Sequence, residues 1–265
     1  MTVQFQNDAR SFPQGTPEKI KCEACASGAG LDFDFEYAYQ PIVDLVTRTI
    51  FAHEALVRGV AGESAGEILA KVNDSNRYRF DQACRVKAVK GASALGMGEY
   101  LSINFLPNAV YRPELCIRTT LEAATLYNFS TRRIIFEVTE GEKITDRAHL
   151  GNIIDKYKDF GFLTAIDDFG AGYAGLNLLA DYQPDLIKLD MELTRGIDTN
   201  RVRQSIVKAI IGVCADLGIR VIAEGVETTG ERDFLADAGI SLMQGYLFCR
   251  PVFQGLGTAD PAAWR

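Results

Sequence analysis

Histidine is almost absent from this chain of 265 residues, occurring only as His53 and His149. So few imidazoles nearly remove His-rich zinc centres and Ser-His or Cys-His nucleophilic systems, and any metal should sit among oxygen ligands. Cysteine is scarce too: the six thiols, at 22, 25, 84, 116, 214 and 249, are too few and too scattered for a disulfide scaffold. Cys22-Glu-Ala-Cys25 has the spacing of half a zinc site or a redox pair, yet no second CxxC and no finger-like histidine pair follows, and incidental reduced thiols are the simpler reading. Cys84, Cys116 and Cys214 fall in helical patterns and read as small core residues. Long apolar runs are missing, and Met1-Thr-Val-Gln-Phe-Gln-Asn-Asp8 lacks a signal peptide's basic and apolar regions, so a cytoplasmic protein without membrane contact is expected. An excess of basic residues is missing as well. A net charge of −7 argues against a grip on long nucleic acid, but not against a small phosphorylated ligand drawn to cations in a carboxylate cluster.

What is present is a regular alternation of apolar runs. Residues 1–32 are polar with little periodicity and read as a lead-in segment; 33–256 form one globular domain, and 257–265 a C-terminal tail. Phe35 to Val43 and Thr49 to Val57 look like two strands joined by a short turn, hence antiparallel. Strands then follow at 100–106, 132–138, 162–167, 185–190, 219–224 and 241–247, separated by helical patterns at 64–72, 77–96, 113–127, 146–159, 173–180, 199–217 and 229–238. The helix over 199–217 rests on Ile206, Ala209, Ile210, Val213, Cys214 and Leu217. Eight strands, seven of them able to run parallel, predict a TIM-like (β/α)8 barrel with an antiparallel first strand.

The active site of such a barrel lies at the carboxyl ends of its parallel strands. Asp167 and Asp168 end the apolar run Phe162 to Ile166, where two carboxylates are costly unless cations or strong donors meet them. Asn104, Glu137, Lys188 and Glu224 occupy comparable strand ends, and Glu54 lies in the second strand. Glu54, Glu137, Asp167 and Asp168, four carboxylates converging on one barrel mouth, suit divalent cations, and adjacent aspartates suit a pair of ions. Lys188 adds a compact cation able to hold a water or a phosphate oxygen, while Glu224, Glu227 and Gln244 supply further polar groups. The chemistry implied is metal-assisted hydrolysis of a phosphoester. Taken singly, each residue has a plainer reading: Glu54 an exposed strand residue, Asn104 a strand-end cap, Lys188 a solvated charge, Gln244 a turn residue, Asp168 a helix cap. Their coincidence at successive strand ends is what carries the argument.

Glu54-Ala-Leu-Val-Arg58 resembles the signature of EAL domains, the bacterial cyclic di-GMP phosphodiesterases. The resemblance runs from Phe35 to Pro251 and includes Tyr39-Gln-Pro-Ile42, Ile103-Asn-Phe-Leu-Pro107, Glu137-Val-Thr-Glu140, Asp167-Asp-Phe-Gly170, Ile187-Lys-Leu-Asp190, Ala223-Glu-Gly-Val-Glu227 and Gln244-Gly-Tyr246. It implies cleavage of cyclic di-GMP to linear pGpG with two ions, Mg²⁺ or Mn²⁺. Glu54, Asn104, Glu137 and Asp167 would hold one ion; Asp168 and the shared Asp167 would hold the other. Lys188 would position or deprotonate the attacking water, and Glu224 would complete the second ion's shell through water or help as a base. Gln40, Leu56 and Arg58 would contact substrate, Arg58 at a phosphate oxygen. Gln244 and Glu227 would support the site, and Glu140 would steady the loop after the Asp-Asp strand and link it to homodimer formation.

Where the family usually has Thr or Ser after Asp-Phe-Gly and Ser-Ser before the next Leu, this chain has Ala171, Ala174 and Gly175. These smaller side chains suggest a loop that works best with an activator or regulatory partner. The Ala/Gly form resembles EAL domains attached to blue-light-sensing flavin modules, although the 34 residues before Phe35 are too few to hold one. The competing reading is a catalytically weak or silent receptor or interaction module for the same dinucleotide. It is disfavoured because no metal ligand and no lysine of the pattern is lost.

Overall fold

The alternation closes into a barrel in the computed structural model, which describes residues 31–110, 112–139, 147–172 and 175–264. Strands β1 (Phe35–Asp44) and β2 (Thr49–Gly59) form the expected antiparallel hairpin, which sets Gln40 opposite Glu54. From β2 onward each strand pairs in parallel with the next: β3 (Tyr100–Asn104), β4 (Ile134–Thr139), β5 (Leu163–Phe169), β6 (Leu186–Leu189), β7 (Arg220–Ala223) and β8 (Leu242–Met243). Pairing of β8 with β1 completes the ring, and β9 (Val252–Phe253) adds to the edge of β1 beside Ala38 and Tyr39. The barrel with a reversed first strand is therefore the observed fold.

The described helices are α1 (Ala65–Leu69), α2 (Arg77–Ala94), α3 (Pro113–Cys116), α4 (Arg118–Leu126), α5 (Arg147–Asp159), α6 (Gly175–Asp181), α7 (Met191–Thr194), α8 (Arg201–Leu217) and α9 (Thr229–Asp237). The helix expected over 113–127 is thus two, broken at the buried Ile117. Helix α7 has no counterpart in the sequence pattern; Asp190 starts it by accepting the Glu192 N–H at 2.8 Å. The last strand is shorter than its apolar run because the chain turns at Gly245, whose added Cβ would lie 2.0 Å from the Val226 carbonyl oxygen. Residues 257–264 pack back on the barrel, Arg232 Nη1 donating to the Ala263 carbonyl at 2.9 Å.

Two apolar regions hold this together. The larger lies between strands and helices and includes an aromatic group of Phe105, Phe136, Tyr157 and Phe162. The smaller fills the barrel's interior with Ile42, Ala52, Ile135, Ala165, Leu186, Ile222 and Leu242. Among the described residues, no helix is long and apolar enough to cross a membrane.

Candidate metal centre

The apolar plug inside the barrel is the floor of the site. Two residues beyond each plug residue stands a polar one: Glu54 after Ala52, Glu137 after Ile135, Asp167 after Ala165, Lys188 after Leu186, Glu224 after Ile222 and Gln244 after Leu242. On the reversed β1 the step runs the other way, from Ile42 to Gln40. Side chains on a strand alternate with period two, so floor and polar layer share the barrel interior. The site is one layer of the barrel, built by repetition of a single spacing.

Asp167 and Asp168 break that spacing, since consecutive strand residues face opposite ways. A bulge resolves the conflict. Pairing of β5 with β6 shifts register between Ile166 and Phe169, and Asp168 takes a left-handed φ of 53°, a conformation aspartate tolerates better than most residues. Gly170 follows at φ 100°, where a Cβ would meet the Leu193 side chain at 2.4 Å. In consequence one oxygen from each of Asp167, Asp168 and Glu224 lies within 4.8 Å of the others, as does one from each of Glu54, Glu137 and Asp167. Asp167 belongs to both groups.

Lys188 stands at the centre, 1% exposed. Its Nζ lies 2.8 Å from Glu224 Oε1, 2.9 Å from Asp167 Oδ1, 3.0 Å from Glu137 Oε2 and 3.2 Å from Glu54 Oε2. An ammonium has three N–H donors, so four carboxylates cannot all be served. Nζ donates to Glu137 Oε2, while Asp167 Oδ1, close to Nζ and buried, has no hydrogen-bond partner among the described residues. Around the cluster, Gln244 Nε2 donates to Glu54 Oε2 at 2.8 Å and to Gln40 Oε1 at 3.1 Å, and Asn104 Nδ2 donates to Glu54 Oε1 at 3.1 Å. Ser102 Oγ donates to Glu137 Oε1.

The charge balance is lopsided. If all ionise, the carboxylates at 54, 137, 167, 168 and 224 outnumber the one ammonium by four. Burial, opposed by Lys188 but reinforced by Glu54 and Asp167, pushes the Glu137 carboxyl up to about 8. Burial and the adjacent Asp167 push Asp168 up to about 6, and burial with Asp167 and Glu54 drives Glu224 well above the usual carboxylate range. Burial works against a charge on Lys188, but the four carboxylates more than offset it and hold its proton well above the ordinary lysine range. Excess negative charge, an orphaned buried oxygen and an all-oxygen donor set together fit divalent cations. Since a protonated carboxyl cannot ligate, Mn²⁺ affinity should rise between pH 6 and pH 8, by up to about tenfold per unit for each proton displaced. Calorimetric titrations at pH 6, 7 and 8 check this; a flat affinity would contradict it.

A cleft of about 300 Å³ opens above the cluster, lined by Gln40, Leu56, Asp190, Arg195, Glu227 and Tyr246 in addition to Glu54, Asp167, Asp168 and Glu224. The structure thus brings together Gln40, Glu54, Leu56, Asn104, Glu137, Asp167, Asp168, Lys188, Glu224, Glu227 and Gln244. Arg58 is not among them. It lines an adjoining hollow with Arg250, Phe253 and Tyr246, the last shared by both spaces. Glu140 and Ala174 lie outside the described residues, as do Cys22 and Cys25. Sequence reading missed Ser102, although it sits two residues before Asn104 on the same face of β3. It also missed Arg195, which holds Glu227 through contacts of 2.5 and 2.8 Å and which no strand-end pattern marks.

The family profile described as EAL domain matches residues 29–251. A blue light- and temperature-regulated antirepressor of Escherichia coli, BluF, is 34% identical over 88% of this chain and 58% of its own length. A cyclic di-GMP phosphodiesterase of Pseudomonas aeruginosa is 29% identical over 84% of this chain and 39% of its own. The chain therefore spans about half the length of these curated relatives, 58% and 39%. Among solved structures, a standalone versatile EAL protein from Vibrio cholerae in its c-di-GMP-bound form is 53% identical, with a TM-score of 0.87, covering 89% of this chain and 100% of that one.

Proposed function

The chain belongs to the EAL domain family, and we propose on that footing that it hydrolyses cyclic di-GMP to linear pGpG with the help of two divalent cations. The observation that carries this reading is the pair of carboxylate groups sharing Asp167 above an apolar floor. Glu54, Asn104, Glu137 and Asp167 would hold one ion, and Asp167 and Asp168, with Glu224, the other; Mg²⁺ or Mn²⁺ suits such donors. When bound, such ions activate a water and neutralise the leaving oxygen. Lys188, whose Nζ contacts Glu54, Glu137, Asp167 and Glu224, would position or deprotonate the attacking water. Glu224, 2.8 Å from Lys188 Nζ, would reach the second ion through water or take a proton from the attacking water. Gln244 fixes Glu54 and Gln40 relative to each other. Gln40 and Leu56 would meet substrate in the cleft and Arg58 a phosphate oxygen in the hollow beside it. Glu140 keeps the loop-steadying role that the resemblance implies.

Incubation of purified protein with cyclic di-GMP and Mn²⁺ or Mg²⁺, followed by chromatography, tests this reading. Linear pGpG should accumulate and its formation should stop on addition of EDTA. The second reading is a receptor or interaction module, favoured by the relative named as an antirepressor and by the small, exposed Ala171 in the loop after Asp168. Tight binding of intact cyclic di-GMP without turnover would decide for it. Working on a bacterial second messenger, the protein would act in the cytoplasm, without membrane or long nucleic acid, and could answer to a regulatory partner.

A homodimer is part of the same proposal. On α8 only Val207 and Cys214 are buried. Val202, Ile206, Val213 and Leu217 are 69%, 44%, 41% and 45% exposed and, with Ala209, recur at three- and four-residue steps along one outward stripe. Such a stripe marks an interaction surface. Ile206→Glu with Val213→Glu should convert the protein to a monomer in sedimentation velocity; an unchanged sedimentation coefficient would exclude this face.

A further inference from the structure

Between α2 and the outside of the barrel lies an ion pair that the proposed chemistry does not use. Asp81 and Arg85, one turn apart on α2, are 2% and 0% exposed, with Arg85 Nη2 2.6 Å from Asp81 Oδ2. A pair this deeply buried is not explained by stability, since desolvation cancels most of the attraction and apolar replacements of similar volume often do as well. Its other contacts are more telling. Asp81 Oδ1 accepts the backbone N–H of Leu106 at 2.9 Å, two residues past Asn104. The Arg85 guanidinium lies 5.6 Å from the ring centre of Phe105 and 5.2 Å from that of Phe136. Those rings belong to the immediate neighbours of Asn104 and Glu137. The Phe105 N–H in turn donates to the Glu137 carbonyl at 3.0 Å, and Arg85 Nη1 donates to the Tyr157 hydroxyl at 2.7 Å, which ties α5 into the same unit.

We infer that Asp81 and Arg85 are positioning residues that set the exits of β3 and β4, and with them the placement of Asn104 and Glu137 as ligands of one divalent cation. The inference rests on the metal-centre reading proposed above. A flat guanidinium on two rings and a carboxylate on one backbone N–H fix the rotation and height of both strand ends; an apolar pair would fill the space and leave the Leu106 N–H without its acceptor. Partners that orient metal ligands in this way typically affect affinity about 10–100-fold.

Mn²⁺ titration of the full chain by calorimetry, with thermal unfolding in EDTA recorded in parallel, tests it. Asp81→Leu with Arg85→Met removes both charges and the acceptor; Asp81→Asn with Arg85→Met removes the charges but keeps an acceptor for Leu106. The first should melt within a few degrees of the wild type yet bind Mn²⁺ about tenfold more weakly, and the second should recover most of that loss. Should the first not fold, Arg85→Lys keeps the charge pair but loses the flat contact with the rings, and it should weaken Mn²⁺ binding by a smaller factor at a near-normal melting temperature. Wild-type Mn²⁺ affinity in the folded variants would overturn the inference alone. Failure of the wild type to bind Mn²⁺ would overturn the metal-centre reading and this inference with it.

Discussion

Lys188→Ala should lower cyclic di-GMP hydrolysis about 10²–10⁴-fold, the usual contribution of a group that handles protons at the reacting water. It should also separate two roles of the side chain. Without divalent ions, Lys188 is the only cation in contact with Glu54, Glu137, Asp167 and Glu224 among the described residues. Removing one partner of a buried charge cluster costs about 3–5 kcal/mol, so the variant should melt well below the wild type in EDTA. Cations bound to the same carboxylates supply the missing positive charge, and binding at about a thousand times Kd adds about 4 kcal/mol to stability. Saturating Mn²⁺ should therefore restore most of the melting temperature and none of the turnover. Turnover within tenfold of the wild type in the Mn²⁺-loaded variant would remove Lys188 from the proposed chemistry.

Asp168→Asn should weaken the second ion by about 10–100-fold and leave the first nearly unaffected. The substitution is clean for a conformational reason: Asp168 sits at φ 53° in the bulge of β5, and asparagine tolerates that region as well as aspartate does. The backbone should stay in place while one ligand oxygen becomes an amide. Mn²⁺ binding followed by calorimetry should fall from two ions to one at moderate concentration, turnover should fall with it, and higher Mn²⁺ should recover part of both. Normal hydrolysis at low Mn²⁺ would contradict a two-ion mechanism.

The barrel was legible because its strands are short apolar runs separated by amphipathic helices. The polar layer was legible because acids at the ends of buried runs are energetically odd. Glu137, Asp167 and Glu224 were marked by that oddity and Lys188 by its place in the same kind of run, whereas Glu54 lay within a strand pattern; in the structure each stands two residues beyond a plug residue. What brings Asp168 beside Asp167 was not legible, since a bulge and a positive φ leave no trace in a hydrophobic pattern beyond the glycines that follow. Helix α8 shows a different limit. Its periodicity was read correctly, but three of the residues that carried it, Ile206, Val213 and Leu217, face outward. Periodicity tells which residues share a face; it does not tell whether that face meets the barrel or another molecule. Arg85 drew no attention either, because a basic residue in a helical pattern ordinarily lies on its solvated side.

The central claim is that one barrel mouth holds two cations bridged by Asp167. Anomalous scattering from manganese in crystals of the Mn²⁺-loaded protein measures it directly. Two peaks roughly 3.5–4 Å apart are expected, with Asp167 touching both, Glu54 and Glu137 on one side and Asp168 on the other. A single peak, or two peaks without Asp167 between them, would contradict the account.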